Sequence, residues 1–218
     1  MKKIFLSAVL LLASCTPASA VVTPQLVRVY VSPAATTKMP DLYNCSTPST
    51  AIYLTDPGTA DITLRLGTPD PLSSPAYQIG TDDVVVIVSS QNEIGQLTVF
   101  QVHSIFLGQV TNWKDTGGPE MPVQVWTYAL GEDIQRIFEQ NAMDGQRVTS
   151  SARLAFSAQN MLDSVSKDAG SIGYLPRSME TADVRDVFKV AAVPLLAITK
   201  AQPDNGTKHI VACLQGQK

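Results

Sequence analysis

Five consecutive β-branched residues, Val84-Val85-Val86-Ile87-Val88, leave this chain little choice of architecture. A strand with no polar face has to be covered on both sides, the usual situation of strands in parallel sheets with helices above and below. The rest of the sequence supplies the neighbours such a strand requires. Leu26 to Val31, Ala51 to Leu54, Ile62 to Leu66, Val123 to Trp126 and Ser171 to Leu175 have strand composition, and Val190 to Ile198 holds one or two strands more. Asp56-Pro57-Gly58 is a turn, and Gly67 to Pro75 reads as a loop.

Helical signals fall between these runs. Thr36 to Asn44 holds a brief helix. Thr98 is an N-cap for a helix that puts Val99, Val102, His103, Phe106 and Leu107 on one face, and Gly108 stops it. Gly131 to Asn141 carries the stripe Ile134, Ile137 and Phe138. A longer helix is expected over Ser151 to Lys167, with Leu154, Ala158, Met161, Leu162 and Val165 inward and Gly170 at its end. His209 is read in a polar tail. Alternating strands and helices predict an α/β fold with mostly parallel sheets flanked by helices.

The N-terminus reads as an export signal. Lys2 and Lys3 precede the apolar run Ile4 to Ala13, about ten residues long and too short to span a bilayer. Leu12-Ala13-Ser14-Cys15 is a lipobox, in which the Cys15 thiol takes a diacylglyceryl group and anchors the exported chain to a membrane. Ala18-Ser19-Ala20 offers the rival reading, ordinary cleavage before Val21. Losing Lys2 and Lys3 takes the net charge from −3 to −5. No cluster of Lys and Arg accompanies that balance, which excludes nucleic acid as a partner. With Cys15 lipidated, Cys45 and Cys213 remain; outside the cytoplasm such a pair reads as a disulfide, against the alternative of two separate buried thiols.

Two motifs carry a family resemblance. Ile105-Phe106-Leu107-Gly108-Gln109-Val110-Thr111-Asn112-Trp113 resembles the helix end of phosphate-type periplasmic binding proteins, the solute receptors of phosphate ABC importers. Ala169-Gly170-Ser171-Ile172-Gly173-Tyr174 resembles the strand by which that family's chain returns from its second lobe. The likeness runs from about Val84 to Leu175 and is weak before it. It implies a two-lobed type II binding fold: a signal and linker over 1–20, lobe I over 21–88 plus 178–218, and lobe II over 89–177. A small molecule or ion would sit in the cleft, and an ABC permease would read the closed form.

The family holds its anion on backbone N–H groups and hydroxyls at helix starts. The matching positions here are altered. After the first strand, Ser32 and Thr36 keep hydroxyls while Pro33 removes a donor. After Ala60-Asp61-Ile62, Gly67 and Thr68 are the candidate donors. The third segment is Thr127-Tyr128-Ala129-Leu130-Gly131-Glu132-Asp133: Gly131 stays, the family's hydroxyls are gone, and two carboxylates have arrived. Glu132 and Asp133 have an ordinary reading, stabilisation of the helix macrodipole, and a sharper one, repulsion of an anion or reception of a cationic or hydroxyl-rich ligand. Both disfavour phosphate. Tyr128 either stacks on a ligand or packs at the hinge.

No Gly-x-Ser-x-Gly, no nucleophile–base pair and no Gly-rich phosphate loop occurs, and His103 and His209 stand far apart. The expectation is a binding protein, not an enzyme, with no metal and no cofactor. The alternative is the same fold without a transported ligand, serving as an extracytoplasmic interaction or sensory module.

Overall fold

The computed structural model describes residues 23–217. Its strands are β1 (Gln25–Val31), β2 (Thr50–Leu54), β3 (Ile62–Leu66), β4 (Ala76–Ser89), β5 (Gln124–Tyr128), β6 (Arg153–Ala155), β7 (Ser171–Pro176) and β8 (Val184–Thr199). Its helices are α1 (Met39–Asn44), α2 (Val99–Phe106), α3 (Asp133–Ala142), α4 (Ala158–Ser166) and α5 (Asn205–Leu214). The strands form one sheet in the order β2-β1-β3-β8-β4-β7-β5-β6.

At its centre β4 and β8 pair antiparallel, from Ala76 opposite Ile198 to Ser89 opposite Val184. One half of the molecule adds β3 antiparallel to the C-terminal end of β8, with β1 and β2 parallel beyond it. The other half adds β7 antiparallel to the C-terminal end of β4, with β5 and β6 parallel beyond it. Parallel pairing governs the outer strands, and an antiparallel ribbon joins the halves.

Val84 to Val88 are fully buried, as their composition requires, yet both neighbours of that segment run antiparallel to it. Helices, not strand direction, cover its two faces. Gly173 of β7 turns towards α4, where a Cβ would strike Met161. Side chains alternate along a strand, so Tyr174 turns the other way. There its ring stacks on Phe138 of α3 at 3.9 Å and meets Phe106 of α2 at 5.8 Å.

The motif residues build local frame. Thr98 and Gln101 form a reciprocal capping box at the start of α2, and Gly108, at φ 76°, follows its end. The Asn112 side-chain oxygen accepts from the N–H groups of Lys114 and Met121. Trp113 is fully buried and donates its indole N–H to the Gly170 carbonyl at 3.0 Å, tying this turn to the entry of β7.

Two expectations differ from the structure. Ser151 to Lys167 is not one helix. Residues Arg153–Ala155 form the edge strand β6 on β5, and α4 starts only after Ser157, whose hydroxyl accepts the Asn160 N–H at 3.0 Å. Leu154, expected inward, is 63% exposed. The polar tail around His209 is helix α5, capped by Asp204 through the Thr207 N–H at 2.9 Å. A Cys45–Cys213 disulfide, with Cα atoms 5.8 Å apart, fastens α5 to the end of α1.

Candidate functional site

Three chain turns converge at the carboxyl ends of β1, β3 and β5, the place where open α/β sheets receive ligands. Parallel pairing sets the ends of β1 and β3 side by side, and the Ser32 N–H donates to the Leu64 carbonyl at 2.9 Å. From the other half, the turn Ala129-Leu130-Gly131 leaves β5 and starts α3. Gly131 sits at φ 97°, a left-handed conformation that a side chain would resist.

The first residue of α3 dominates the junction. Asp133 is 5% exposed. One carboxylate oxygen accepts from the Ser32 hydroxyl at 2.6 Å and from the Leu66 N–H at 2.9 Å. The other accepts the Ile134 N–H of its own helix at 2.8 Å. A hydroxyl and a backbone N–H from one half thus close on a carboxylate from the other. Both donors are thereby taken by the protein's own side chain. Charge-assisted bonds of this kind are short and about twice as strong as neutral ones.

Beside this latch lies a cleft of about 400 Å³. Ser32, Tyr30, Thr63 and Arg65 line it from one half, and Gly131, Glu132, Asp133 and Arg136 from the other. Burial, then the nearby Asp133 carboxylate, raises the Glu132 side chain above the ordinary glutamate value. Burial also raises Tyr30, with Glu132 and Asp133 adding to it. Arg65 is lowered, first by burial and then by the neighbouring Arg136 guanidinium, against the opposing pull of Asp133.

The structure brings four of the expected residues to one cleft: Ser32, Gly131, Glu132 and Asp133. Thr68 is exposed and does not line that cleft; it borders a smaller space of about 50 Å³ that Asp133, Arg65 and Arg136 also line. Gly67 is buried and donates its N–H to the Pro194 carbonyl at 2.8 Å, so that donor is already used. Thr36 turns its hydroxyl back to the Pro33 carbonyl and does not line the cleft. Tyr128 packs against Tyr174 at 5.4 Å and borders a separate cavity of about 480 Å³ with Leu130 and Leu154.

Tyr30, Thr63, Arg65 and Arg136 are cleft residues the sequence reading missed. Thr63 and Arg65 alternate with the buried Ile62, Leu64 and Leu66, so strand periodicity put them on one face. Arg136 lies one turn after Asp133, on the side of α3 that turns towards the cleft.

Residues 76–216 match the family model of the PBP superfamily domain. The chain superposes with a TM-score of 0.78 on a Clostridium perfringens structure assigned as a phosphate ABC transporter substrate-binding protein with bound phosphate. The two are 18% identical, over 87% of this chain and 93% of that one. An ABC-type phosphate transport receptor from Vibrio cholerae superposes at 0.66 with 20% identity, over 87% and 93%. The regulatory domain of CcmR from Synechocystis PCC6803, in complex with 2-PG, superposes at 0.61 with 13% identity, over 88% and 96%. Identities this low carry the fold alone, and that fold serves receptors and regulatory domains alike.

Proposed function

This chain belongs to the PBP superfamily, and from that membership and the geometry of its cleft we propose that it is an extracytoplasmic solute receptor of an ABC importer. The solute is held between lobe I, residues 21–88 plus 178–218, and lobe II, residues 89–177. It is bound and released unchanged. The observation that carries the reading is the convergence of Ser32, Arg65, Glu132 and Arg136, from both halves, on one cleft of about 400 Å³, a size suited to a small molecule. The closed arrangement is the one a permease would read.

Inorganic phosphate is not the preferred solute on this reading. The Ser32 hydroxyl and Leu66 N–H are engaged by Asp133. A phosphate sharing those donors would stand close to that carboxylate. Like charges about 4 Å apart repel by about 4 kcal/mol at an effective dielectric near 20, on the order of a thousandfold in affinity. Calorimetric titration of the mature protein with phosphate tests this. The expected result is a Kd weaker than about 1 mM for the natural chain and a gain of binding in Asp133→Ser, which frees both donors. Submicromolar phosphate binding by the natural chain would overturn the exclusion.

Lipid attachment at Cys15, which lies outside the described residues, completes the proposal. The thiol loses its proton and displaces the phosphate headgroup of a membrane phospholipid, and the diacylglyceryl thioether so formed keeps the receptor at the membrane surface. Among the described residues no helix is long and apolar enough to cross a membrane. Cell fractionation is expected to find the natural chain in membranes and Cys15→Ala outside them; a natural chain found free in the periplasm or medium favours cleavage after Ala20.

A further inference from the structure

Arg65 and Arg136 reach the cleft from opposite halves, one from β3 and the other from α3. Among the described residues neither guanidinium joins an ion pair, and the Nε of each is buried without a hydrogen-bond partner. Other half-buried arginines of the chain are satisfied. Arg177 pairs with Asp83 and Asp186, and Arg185 donates to the carbonyls of Asn92 and Ile94. The two cleft arginines also lie near enough for the charge on Arg136 to lower Arg65, an approach that like charges make only at a cost. A guanidinium has five donors and no acceptor, and its planar fork fits a pair of coplanar oxygens.

Glu132 presents the complementary need. It borders the same cleft, makes no capping bond to its helix, and joins no ion pair with Arg136 or any other described residue. The cleft therefore offers paired donors and, a short way off, an unpaired acceptor. Two arginines and two acidic side chains line the cleft, equal numbers of each sign, which suits a solute of low net charge rather than a dianion. Pro57 and Leu130 add apolar wall.

Resting on the receptor reading above, we propose that the solute is a small carboxylic acid bearing its own donor, a 2-amino or 2-hydroxy acid. Its carboxylate lies on Arg65 and Arg136, and its ammonium or hydroxyl faces Glu132. This assigns ligand roles to three side chains that stand outside the family's phosphate-holding segments or replace them.

The test is a thermal-shift and calorimetric panel on the mature protein. The probes are the protein amino acids and their 2-hydroxy analogues, the matched acids lacking the 2-substituent, the matched amides lacking the carboxylate, inorganic phosphate and neutral sugars. At least one amino or hydroxy acid is expected to bind with a Kd below about 10 μM. Its matched donor-free acid and its amide are each expected to bind at least about tenfold more weakly, as are Arg65→Gln, Arg136→Gln and Glu132→Gln with the full ligand. Should a variant fail to fold by circular dichroism, the matched ligands on the natural chain still decide. Binding of phosphate or a sugar with no response to any amino or hydroxy acid overturns the inference and leaves the receptor reading standing. Acid binding indifferent to the arginine substitutions also overturns it. A panel in which nothing binds sinks both.

Discussion

The two halves of the molecule are held together by different means. The half built on β5, β6 and β7 has the aromatic core: Phe106, Trp113, Tyr128, Phe138 and Tyr174 are all buried there, with Phe138 stacked on Tyr174 at 3.9 Å. The half built on β1, β2 and β3 buries aliphatic residues, among them Val27, Val29, Leu42, Ile62 and Leu64, and is flanked by the six-residue α1 and by α5. Its fastening is covalent, the Cys45–Cys213 bridge between those two helices. A bridge that closes a long loop adds to whatever packing supplies, because it constrains the unfolded chain.

The largest effect is expected where the core is densest. Phe138→Ala removes a ring packed on both Phe106 and Tyr174 and should cost about 4 kcal/mol in chemical unfolding. A cost below about 1 kcal/mol would mean that this core does not carry its half. Replacing both cysteines, as Cys45→Ala with Cys213→Ala, should cost about 3 kcal/mol, given the 168-residue separation that the bridge spans. Native-state hydrogen exchange sharpens the comparison. The loss should fall on α1, α5 and β1 more than on α3 and β7, and a uniform loss would erase the distinction between the halves.

The smallest effect concerns the cap of α5. Asp204→Ala should cost about 1 kcal/mol at neutral pH. The Thr207 N–H, foremost, holds the Asp204 carboxyl below its ordinary value. A depressed carboxylate contributes its stability above its unfolded pKa, near 4, and loses it as pH falls through the lower folded value. The difference between Asp204→Ala and the natural chain should therefore shrink below about pH 4. A gap that is unchanged at pH 2.5 would show that the cap does not act through its charge.

Local patterns carried the fold and only part of the cleft. The strands of both halves and α2 stand near the positions their composition indicates, because periodicity and caps are written within a few residues. β6 escaped because Leu154, Ala158, Met161 and Leu162 repeat at helical spacing across a break that only the cap at Ser157 marks. α5 escaped because two of its four buried residues are Gly206 and Thr207, which give no apolar signal; Gly206 is there because Gln25 packs against it. Arg65 looked like an outward residue of an alternating strand, and its cleft neighbour arrives 71 positions later with Arg136. Arg136 in turn follows Glu132 by four residues, a spacing that ordinarily reads as a helical ion pair, and no such pair forms.

The central ribbon has a mechanical corollary. β4 and β8 carry the two halves on their outer flanks, β7 beside β4 and β3 beside β8, and their pairing slips register between Gln78 and Gly80, between Val84 and Val85, and between Val86 and Ile87. Such bulges leave a residue unpaired and steepen the local twist. Neither half can therefore swing about a slack connector: a displacement of one against the other has to be taken up as torsion in this pair of strands, concentrated where the ladder is interrupted. An amide or spectroscopic probe at Ile79 or Val187 would report on what happens in the cleft, although neither residue lines it.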